Sequence, residues 1–321
     1  MRTGIAPLEG GAAALSRFAE EVRAGLSRPQ KALSPKWLYD ARGGGLYELI
    51  CEQPEYYPPR MEAGILERYA LEIAGAIGPE ALLFEYGAGT ARKTVRLLAT
   101  LARPAAYVPV DISEDALRAA GAAVRERFRA LPFHPVVADF TADVRLPLEA
   151  LPGRRRVAFF PGSTIGNFDP PDAIALLARM ARDAGPGGGL LVGVDLPKDA
   201  EVLVRAYDDA RGVTAAFDLN LLVRMNRELG GDFRLSAFRH LSRWDEHVSR
   251  VEMHLKSLED QVVSVAGGRF AFAAGETLHT ESAYKWDSSA FDALARAAGW
   301  RPQRTWMDER GWFAVKLFRA A

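Results

Sequence analysis

Ala81-Leu82-Leu83-Phe84-Glu85-Tyr86-Gly87-Ala88-Gly89-Thr90-Ala91-Arg92-Lys93-Thr94 is the stretch on which the reading of this chain turns. Ala81–Tyr86 is a short apolar run ended by glycine, the pattern of a buried strand. Gly87 and Gly89 then let the chain turn tightly, and a helix follows near 91–102. Such a unit brings the amides of a helix N-terminus up to a ligand, because glycine has no side chain to hold the ligand away. Alone, Gly87-Ala88-Gly89 is a weak signal. Its context sharpens it. Tyr107–Val110 reads as a second strand with Asp111 at its tip, and a helix starts at Glu114 behind Ser113 as N-cap. Val136–Ala138 reads as a third strand, followed by Asp139-Phe140. Val157–Phe160 is a fourth, with a helix near 171–184, and Leu190–Val194 is a fifth, after Gly187-Gly188-Gly189. Strands and helices alternating at this spacing predict an α/β fold, a parallel sheet covered by helices on both faces.

Outward from this core the pattern changes. Residues 12–26 and 61–77 read as helices. Between them lies a stretch punctuated by Ser34-Pro35, Gly43-Gly44-Gly45, Pro54 and Pro58-Pro59. It is rich in aromatics for a linker (Trp37, Tyr39, Tyr47, Tyr56, Tyr57), which predicts that it packs over a site. After Leu196 the alternation breaks. A helical stretch near 199–229 precedes strand-like runs at Arg250–Ser257, Gln261–Val265 and Arg269–Phe272. That length is too great for a loop, and it reads as an inserted α+β subdomain. A helix near 288–298 and strands at Gln303–Met307 and Phe313–Phe318 close the chain. The expected organisation is one domain from 61–197 and 287–321, and a second from 1–60 and 198–286.

Composition narrows the function. The 321 residues carry 41 Lys plus Arg against 41 Asp plus Glu, without the basic excess of a nucleic-acid binder. Arg154-Arg155-Arg156 is the densest basic run and reads as a solvated loop before a strand. Cys51 is the only cysteine, so no internal disulfide or cysteine-rich metal site forms. None of the five histidines stands at a metal-binding spacing, and no metal is expected. The N-terminus, with Glu9 and Glu20 among small residues, lacks the apolar core of a signal peptide. No run approaches the roughly 20 apolar residues of a membrane span. A cytoplasmic protein without nucleic-acid or membrane partners is expected, working as a monomer on a small molecule.

The strand tips point to an adenosine-containing cofactor. Asp111, just over 20 residues beyond Gly87, can accept both ribose hydroxyls. Asp139 can accept from an adenine amino group while Phe140 covers the ring. Both NAD and S-adenosylmethionine fit that clamp. A dinucleotide, however, wants a small residue where Arg92 stands, so that the helix packs close to the phosphates. The amino-acid tail of S-adenosylmethionine needs instead a partner for its carboxylate, and Lys93 in the first helical turn can serve.

Seven blocks then become recognisable: Pro35-Lys36-Trp37-Leu38-Tyr39-Asp40, Pro54-Glu55-Tyr56-Tyr57-Pro58, Gly162-Ser163-Thr164-Ile165-Gly166-Asn167, Asp195-Leu196-Pro197-Lys198-Asp199, Arg205-Ala206-Tyr207-Asp208-Asp209-Ala210, Asn226-Arg227-Glu228-Leu229 and Thr280-Glu281-Ser282-Ala283-Tyr284-Lys285. In these, over almost its whole length, the chain resembles the histidine-specific Nα-methyltransferase family of ergothioneine biosynthesis. The resemblance implies a Rossmann-like class I methyltransferase domain, a second α+β domain for the substrate, and S-adenosylmethionine as methyl donor to the α-amino group of a free amino acid, up to trimethylhistidine. It implies cofactor roles for Gly87, Gly89, Lys93, Asp111, Asp139 and Phe140, with Gly162 lining the methyl-transfer channel. Tyr56, Asn167 and Tyr207 match residues that hold the substrate's amino and carboxylate groups, and Glu281 the carboxylate that reads the imidazole. Ala283 and Met253 complete the expected substrate set.

Methyl transfer to a neutral amine needs alignment more than acid catalysis. Asn167 offers an amide oxygen to aim the amine, and Tyr39 and Tyr56 are candidates to relay its proton through water. One departure bears on specificity. Histidine enzymes of the family carry a serine two residues after the imidazole-reading glutamate, where this chain has Ala283. Ser282 is not expected to replace it, because neighbours in an extended strand face opposite ways. The competing readings are a sibling enzyme for another amino acid or amino-acid-derived metabolite, a non-catalytic cofactor-binding protein, and a nicotinamide dehydrogenase, the last opposed by Arg92.

Overall fold

A computed structural model describes residues 11–321. In chain order the elements are α1 (Gly11–Leu26), β1 (Lys31–Ala32), α2 (Ala41–Cys51), α3 (Pro58–Arg68), α4 (Ala70–Ile77), β2 (Ala81–Tyr86), α5 (Arg92–Leu98), β3 (Ala106–Asp111), α6 (Glu114–Arg127), β4 (Val136–Val137), β5 (Arg155–Phe160), α7 (Pro170–Ala184), β6 (Gly189–Asp195), α8 (Ala200–Ala206), α9 (Val213–Leu229), β7 (Phe238–Asp245), β8 (Arg250–Ser257), β9 (Gln261–Val265), β10 (Gly268–Phe272), β11 (Thr277–Tyr284), α10 (Ser288–Ala297), β12 (Trp300–Met307) and β13 (Phe313–Ala320). They fall into two units. One comprises Pro58–Pro197 and Lys285–Ala321, and the described part of the other comprises residues 11–57 and Lys198–Tyr284. The seams at 57/58 and 284/285 compare with the 60/61 and 286/287 read from the sequence. The signal-peptide reading and the first ten residues of the proposed second domain lie outside the described residues.

The first unit is a seven-stranded sheet in the order β12-β13-β6-β5-β2-β3-β4. β6, β5, β2, β3 and β4 run parallel, and β13 is antiparallel to both of its neighbours. This is a Rossmann-like class I methyltransferase fold. Every residue of β2 and β6 is buried, as central strands covered on both faces require. Along β2 the pleat sends Leu82, Phe84 and Tyr86 into a core shared with α7 and α10. Ala81 and Leu83 enter the core shared with α4, α5 and α6. On α7, Ala173, Leu176, Leu177, Met180 and Ala184 recur at helical spacing and are buried together. The order of strands reverses between β2 and β5, and ligands of open α/β sheets bind beyond the strand ends at such a point.

The second unit holds a four-stranded sheet, β1-β11-β8-β7, and a separate β9–β10 hairpin. α9 packs on β7 and β8, and α2 packs on α9.

Four expectations change. The Gly43-Gly44-Gly45 run, read as punctuation, lies inside α2. Asp40 caps that helix by accepting from Gly43 N at 2.7 Å, and itself receives bonds from Asn220 (2.8 Å) and Arg227 (2.6 Å). A Cβ at residue 43 would lie 1.7 Å from the carbonyl oxygen of Leu38, so tight packing accounts for that glycine. Arg155 and Arg156 belong to β5 rather than to a loop, and Arg155 donates to the carbonyls of Ala76, Ile77 and Gly187. β7 carries no named strand in the sequence reading, and the 199–229 stretch is two helices broken after Ala206. Among the described residues no helix is long and apolar enough to cross a membrane.

Candidate active site

In the first unit, four segments meet at the carboxyl ends of adjacent parallel strands. After β2, Gly87 has φ +74° and donates its N–H to Val110 O at 2.8 Å. Gly89, at φ +52°, donates to Asp111 Oδ2 at 2.9 Å, and Ser113 N donates to Asp111 Oδ1 at 2.8 Å. Asp111 thus ties the glycine turn to the tip of β3. Burial raises its pKa above the usual carboxylate value, although its backbone hydrogen bonds oppose the shift. After β4, Asp139 Oδ1 accepts from Thr141 N at 2.9 Å. The Phe140 ring stacks on Tyr86 with centroids 5.8 Å apart, and it would lie 3.2 Å from a Cβ at residue 87. Only a glycine turn lets that ring sit so close. Beneath the turn, buried Glu85 accepts from Thr94 Oγ1 at 2.5 Å and from the Tyr107 hydroxyl. Burial pushes its carboxyl up to about 8.

A second cluster lies where β5 ends. Gly162 has φ +80°, and a Cβ there would be 3.2 Å from Lys93 Nζ. Lys93 is paired with Glu62 Oε2 at 2.5 Å, and Glu62 also accepts from Gly162 N at 2.9 and 3.0 Å. The Glu62 carboxylate lies against β6 at Gly193, where a Cβ would come within 2.1 Å of Oε1. A glycine inside a strand marks such a close approach. The ammonium of Lys93 is therefore held by the protein itself, in a pair the sequence does not announce. Asn167 ends a short 3₁₀ turn, Thr164–Asn167. Ser163 opens that turn at φ +56°, and its Oγ accepts from Asp195 N at 3.0 Å. Asp195 in turn pairs with Lys285 at 2.9 Å, both fully buried.

The second unit gathers aromatics. Tyr39 lies edge-on to Tyr47 (5.6 Å) and to Phe217 (5.3 Å). Tyr47 neighbours Tyr56 (6.4 Å), and Tyr56 is perpendicular to Tyr207 (5.8 Å). Burial drives the hydroxyls of Tyr39, Tyr47 and Tyr56 well above the usual tyrosine pKa, and the charge of Glu281 adds to the shift at Tyr39 and Tyr47. These phenols stay protonated at neutral pH, so they can donate hydrogen bonds or pass a proton along, but they do not act as standing bases. On the sheet, Glu281 pairs across strands with Met253, and Ala283 with Val251. All three predicted positions (253, 281, 283) are buried. Ser282 is turned to the other side, where its Oγ lies 3.0 Å from His279 Nε2.

The residues that the resemblance singles out are among these, and the family match runs through all of them, from residue 18 to residue 320. The chain belongs to the histidine-specific, S-adenosylmethionine-dependent methyltransferases. Members of this family are enzymes, and S-adenosylmethionine is their cofactor. The chain is 42% identical over 304 residues to the histidine N-alpha-methyltransferase of Mycolicibacterium smegmatis, covering 92% of this chain and 93% of that protein. It is 39% identical over 322 residues to the protein of the same name from Mycobacterium tuberculosis, with 99% of each covered. Among solved structures, the CcbJ methyltransferase of Streptomyces caelestis is similar at a TM-score of 0.48 and 17% identity, covering 80% of this chain and 96% of that one.

Within this methyltransferase the structure brings Gly87, Gly89, Asp111, Asp139 and Phe140 to neighbouring strand tips, and places Lys93 beside Gly162. It also sets Tyr39, Tyr56 and Tyr207 in one aromatic cluster, and Glu281 opposite Met253. Three groups escape the sequence reading. Glu62 gives no signal within its own helix; its only trace is the glycine interrupting β6. Tyr47 is visible as an aromatic but not as the link between Tyr39 and Tyr56. His240 reads as an unremarkable histidine until its pairing with Asp218 is seen.

Proposed function

We propose that the chain is a histidine Nα-methyltransferase, transferring methyl groups from S-adenosylmethionine to the α-amino group of free histidine. Beyond family membership, one observation carries the choice of histidine. The buried carboxylate of Glu281 faces Met253 across the sheet, near enough to the tyrosines for its charge to push up Tyr39. An imidazole N–H donated to such a carboxylate makes a charge-assisted bond that a substrate with an apolar side chain cannot make.

The residues at the strand tips fit the cofactor. Asp111 retains acceptor capacity for the ribose hydroxyls, Phe140 covers the glycine turn where the adenine would lie, and Lys93 supplies an ammonium for the amino-acid tail. When bound, the cofactor supplies an electrophilic methyl group on a sulfonium. The chain's own contribution is alignment. Asn167 accepts from the substrate amine through its amide oxygen and aims the nitrogen lone pair. Its turn is pinned to the tip of β6 through Ser163, which keeps that aim fixed. Tyr56 and Tyr207 donate from their hydroxyls to the substrate carboxylate, and Tyr39 passes the amine's proton toward water.

The test is mass spectrometry of each of the 20 amino acids incubated with the enzyme and labelled S-adenosylmethionine. Label in histidine at its α-nitrogen is the expected result. Label in another amino acid and none in histidine would keep the methyltransferase and remove the histidine assignment. In Asn167→Ala, turnover should fall markedly while S-adenosylhomocysteine affinity stays nearly unchanged.

A further inference from the structure

His240 on β7 makes two contacts that a neutral imidazole cannot both satisfy. Its Nδ1 lies 2.7 Å from Asp218 Oδ2 on α9, and its Nε2 lies 2.8 Å from the backbone carbonyl oxygen of Tyr207. Both partners are acceptors. A neutral ring has one N–H and an imidazolium has two, so only the charged ring donates to both. The pair is sealed from water, with side-chain exposures of 2% for His240 and 0% for Asp218. Tyr207 is the residue that ends α8, and its own N–H is bound to Val204 O. A cation on its carbonyl also complements the partial negative charge of a helix C-terminus.

We propose that Asp218 and His240 form a buried clamp that fixes Tyr207 by its backbone, making His240 a positioning residue for the amino-acid substrate. This rests on the reading of Tyr207 as a substrate-binding residue. The Tyr207 ring stands perpendicular on Tyr56, so a shift of its backbone would disturb both phenols that hold the substrate carboxylate. A buried ion pair is a poor way to gain stability, since apolar side chains of similar volume often serve better. The pair does supply a directional donor to one chosen carbonyl.

The clamp carries its own pH dependence. Burial opposes the charge on His240, but the hydrogen bond and charge of Asp218, the Tyr207 carbonyl and the more distant Asp208 outweigh it and raise its pKa above 6.5. His254 on β8 also feels Asp218, but burial lowers its pKa, and its Nε2 is engaged by Glu252. The imidazolium therefore persists to higher pH than in a free histidine. The clamp opens as pH rises through the raised pKa of His240.

The experiment compares wild type with Asp218→Asn, His240→Asn and His240→Gln. It measures KM for histidine, kcat, and S-adenosylhomocysteine affinity by calorimetry, at several pH values from 6.5 upward. At pH 6.5 the Asp218→Asn and His240→Asn enzymes should show KM about tenfold or more above wild type, the scale of a charged hydrogen bond. Cofactor affinity should be unchanged and kcat much less affected than KM. His240→Gln can place its amide NH2 where Nε2 stands, facing the Tyr207 carbonyl, which Asn is too short to reach, and should recover part of the loss. The ratio of KM in Asp218→Asn to that in wild type should fall toward one as pH rises, because the wild-type clamp is then opening too, and ionisation of the substrate cancels in the ratio. A ratio independent of pH, or an unchanged KM, overturns the proposal. If the variants do not fold, ¹⁵N NMR of the wild-type imidazole decides: a doubly protonated His240 at pH 6.5 and below supports the clamp, and a single neutral tautomer there overturns it. Should another amino acid prove to be the substrate, the histidine assignment alone falls, and the KM ratio is read on that amino acid.

Discussion

Gly162→Ala is the sharpest probe of the cofactor end of the site, because two separable effects meet at that residue. The first is conformational. Gly162 has φ +80°, and an L-residue held in the left-handed region loses about 1–2 kcal/mol. The second is local contact. The new Cβ would sit 3.2 Å from Lys93 Nζ and 3.6 Å from Thr164 Oγ1. A lysine terminus normally swings away at little cost, but this one is held 2.5 Å from Glu62 Oε2, and Glu62 is itself fixed by the Gly162 amide. Lys93 must therefore move by a few tenths of an ångström. That weakens a charged hydrogen bond worth about 1.5–3 kcal/mol by roughly 1 kcal/mol, or about fivefold in affinity. Gly311→Ala supplies the control, since Gly311 lies in the same unit at φ +66° with nothing within 4 Å of its would-be Cβ. Urea denaturation should show losses of about 1–2 kcal/mol in both variants. Calorimetry with S-adenosylhomocysteine should show the fivefold weakening in Gly162→Ala only. Equal affinities in the two variants would refute the argument that Lys93 and Gly162 act together on the ligand.

Asp111→Ala should weaken S-adenosylhomocysteine by about 1.5–3 kcal/mol, the scale of a charged hydrogen bond, and calorimetry reads it directly. Ala283→Ser restores a hydroxyl on the side of β11 that carries Glu281, and should lower KM for histidine by up to about tenfold, corresponding to one hydrogen bond of about 0.5–1.5 kcal/mol. A raised KM would mean that the hydroxyl is buried without a partner. Lys285→Met removes one half of a buried ion pair and should cost about 3–5 kcal/mol in urea denaturation, most of it recovered in the double variant with Asp195→Leu. A single variant as stable as wild type would show that Asp195 is satisfied without its lysine.

The parallel sheet was legible because its strands are buried on both faces and therefore read as unbroken apolar runs between turns. β7 was not, since its residues alternate between buried and exposed, and Arg239, Arg243 and Asp245 break up the apolar signal. α2 was hidden by three glycines; tight packing accounts for Gly43 alone, and the Asp40 N-cap offsets their poor helix propensity. Among the proposed cofactor residues, Asp111, Asp139 and Phe140 could be read because each stands at or just beyond the end of a strand. Glu62 could not, because it reaches Lys93 and Gly162 from α3, and nothing local to it encodes that distant contact. Likewise the partners of His240 lie 22 and 33 residues away.

The pairing of β11 with β8 shifts between His279 and Glu281, so that Thr280 and Glu281 together span a single step of the partner strand. Thr280 fills the irregularity by donating its hydroxyl to the Met253 carbonyl at 3.0 Å. The extra residue changes the phase of the strand. His279 comes to share a side with Ser282, and Glu281 keeps company with Ala283. Deleting Thr280 would restore uniform alternation and rotate everything on one flank of the deletion to the opposite side of the sheet. Either Glu281 leaves the pocket, or the residues before it exchange their buried and exposed positions. With Glu281 in its proposed role, substrate choice would depend on strand length as well as on side-chain identity. One codon gained or lost at this point could redirect the enzyme more abruptly than any replacement within the pocket.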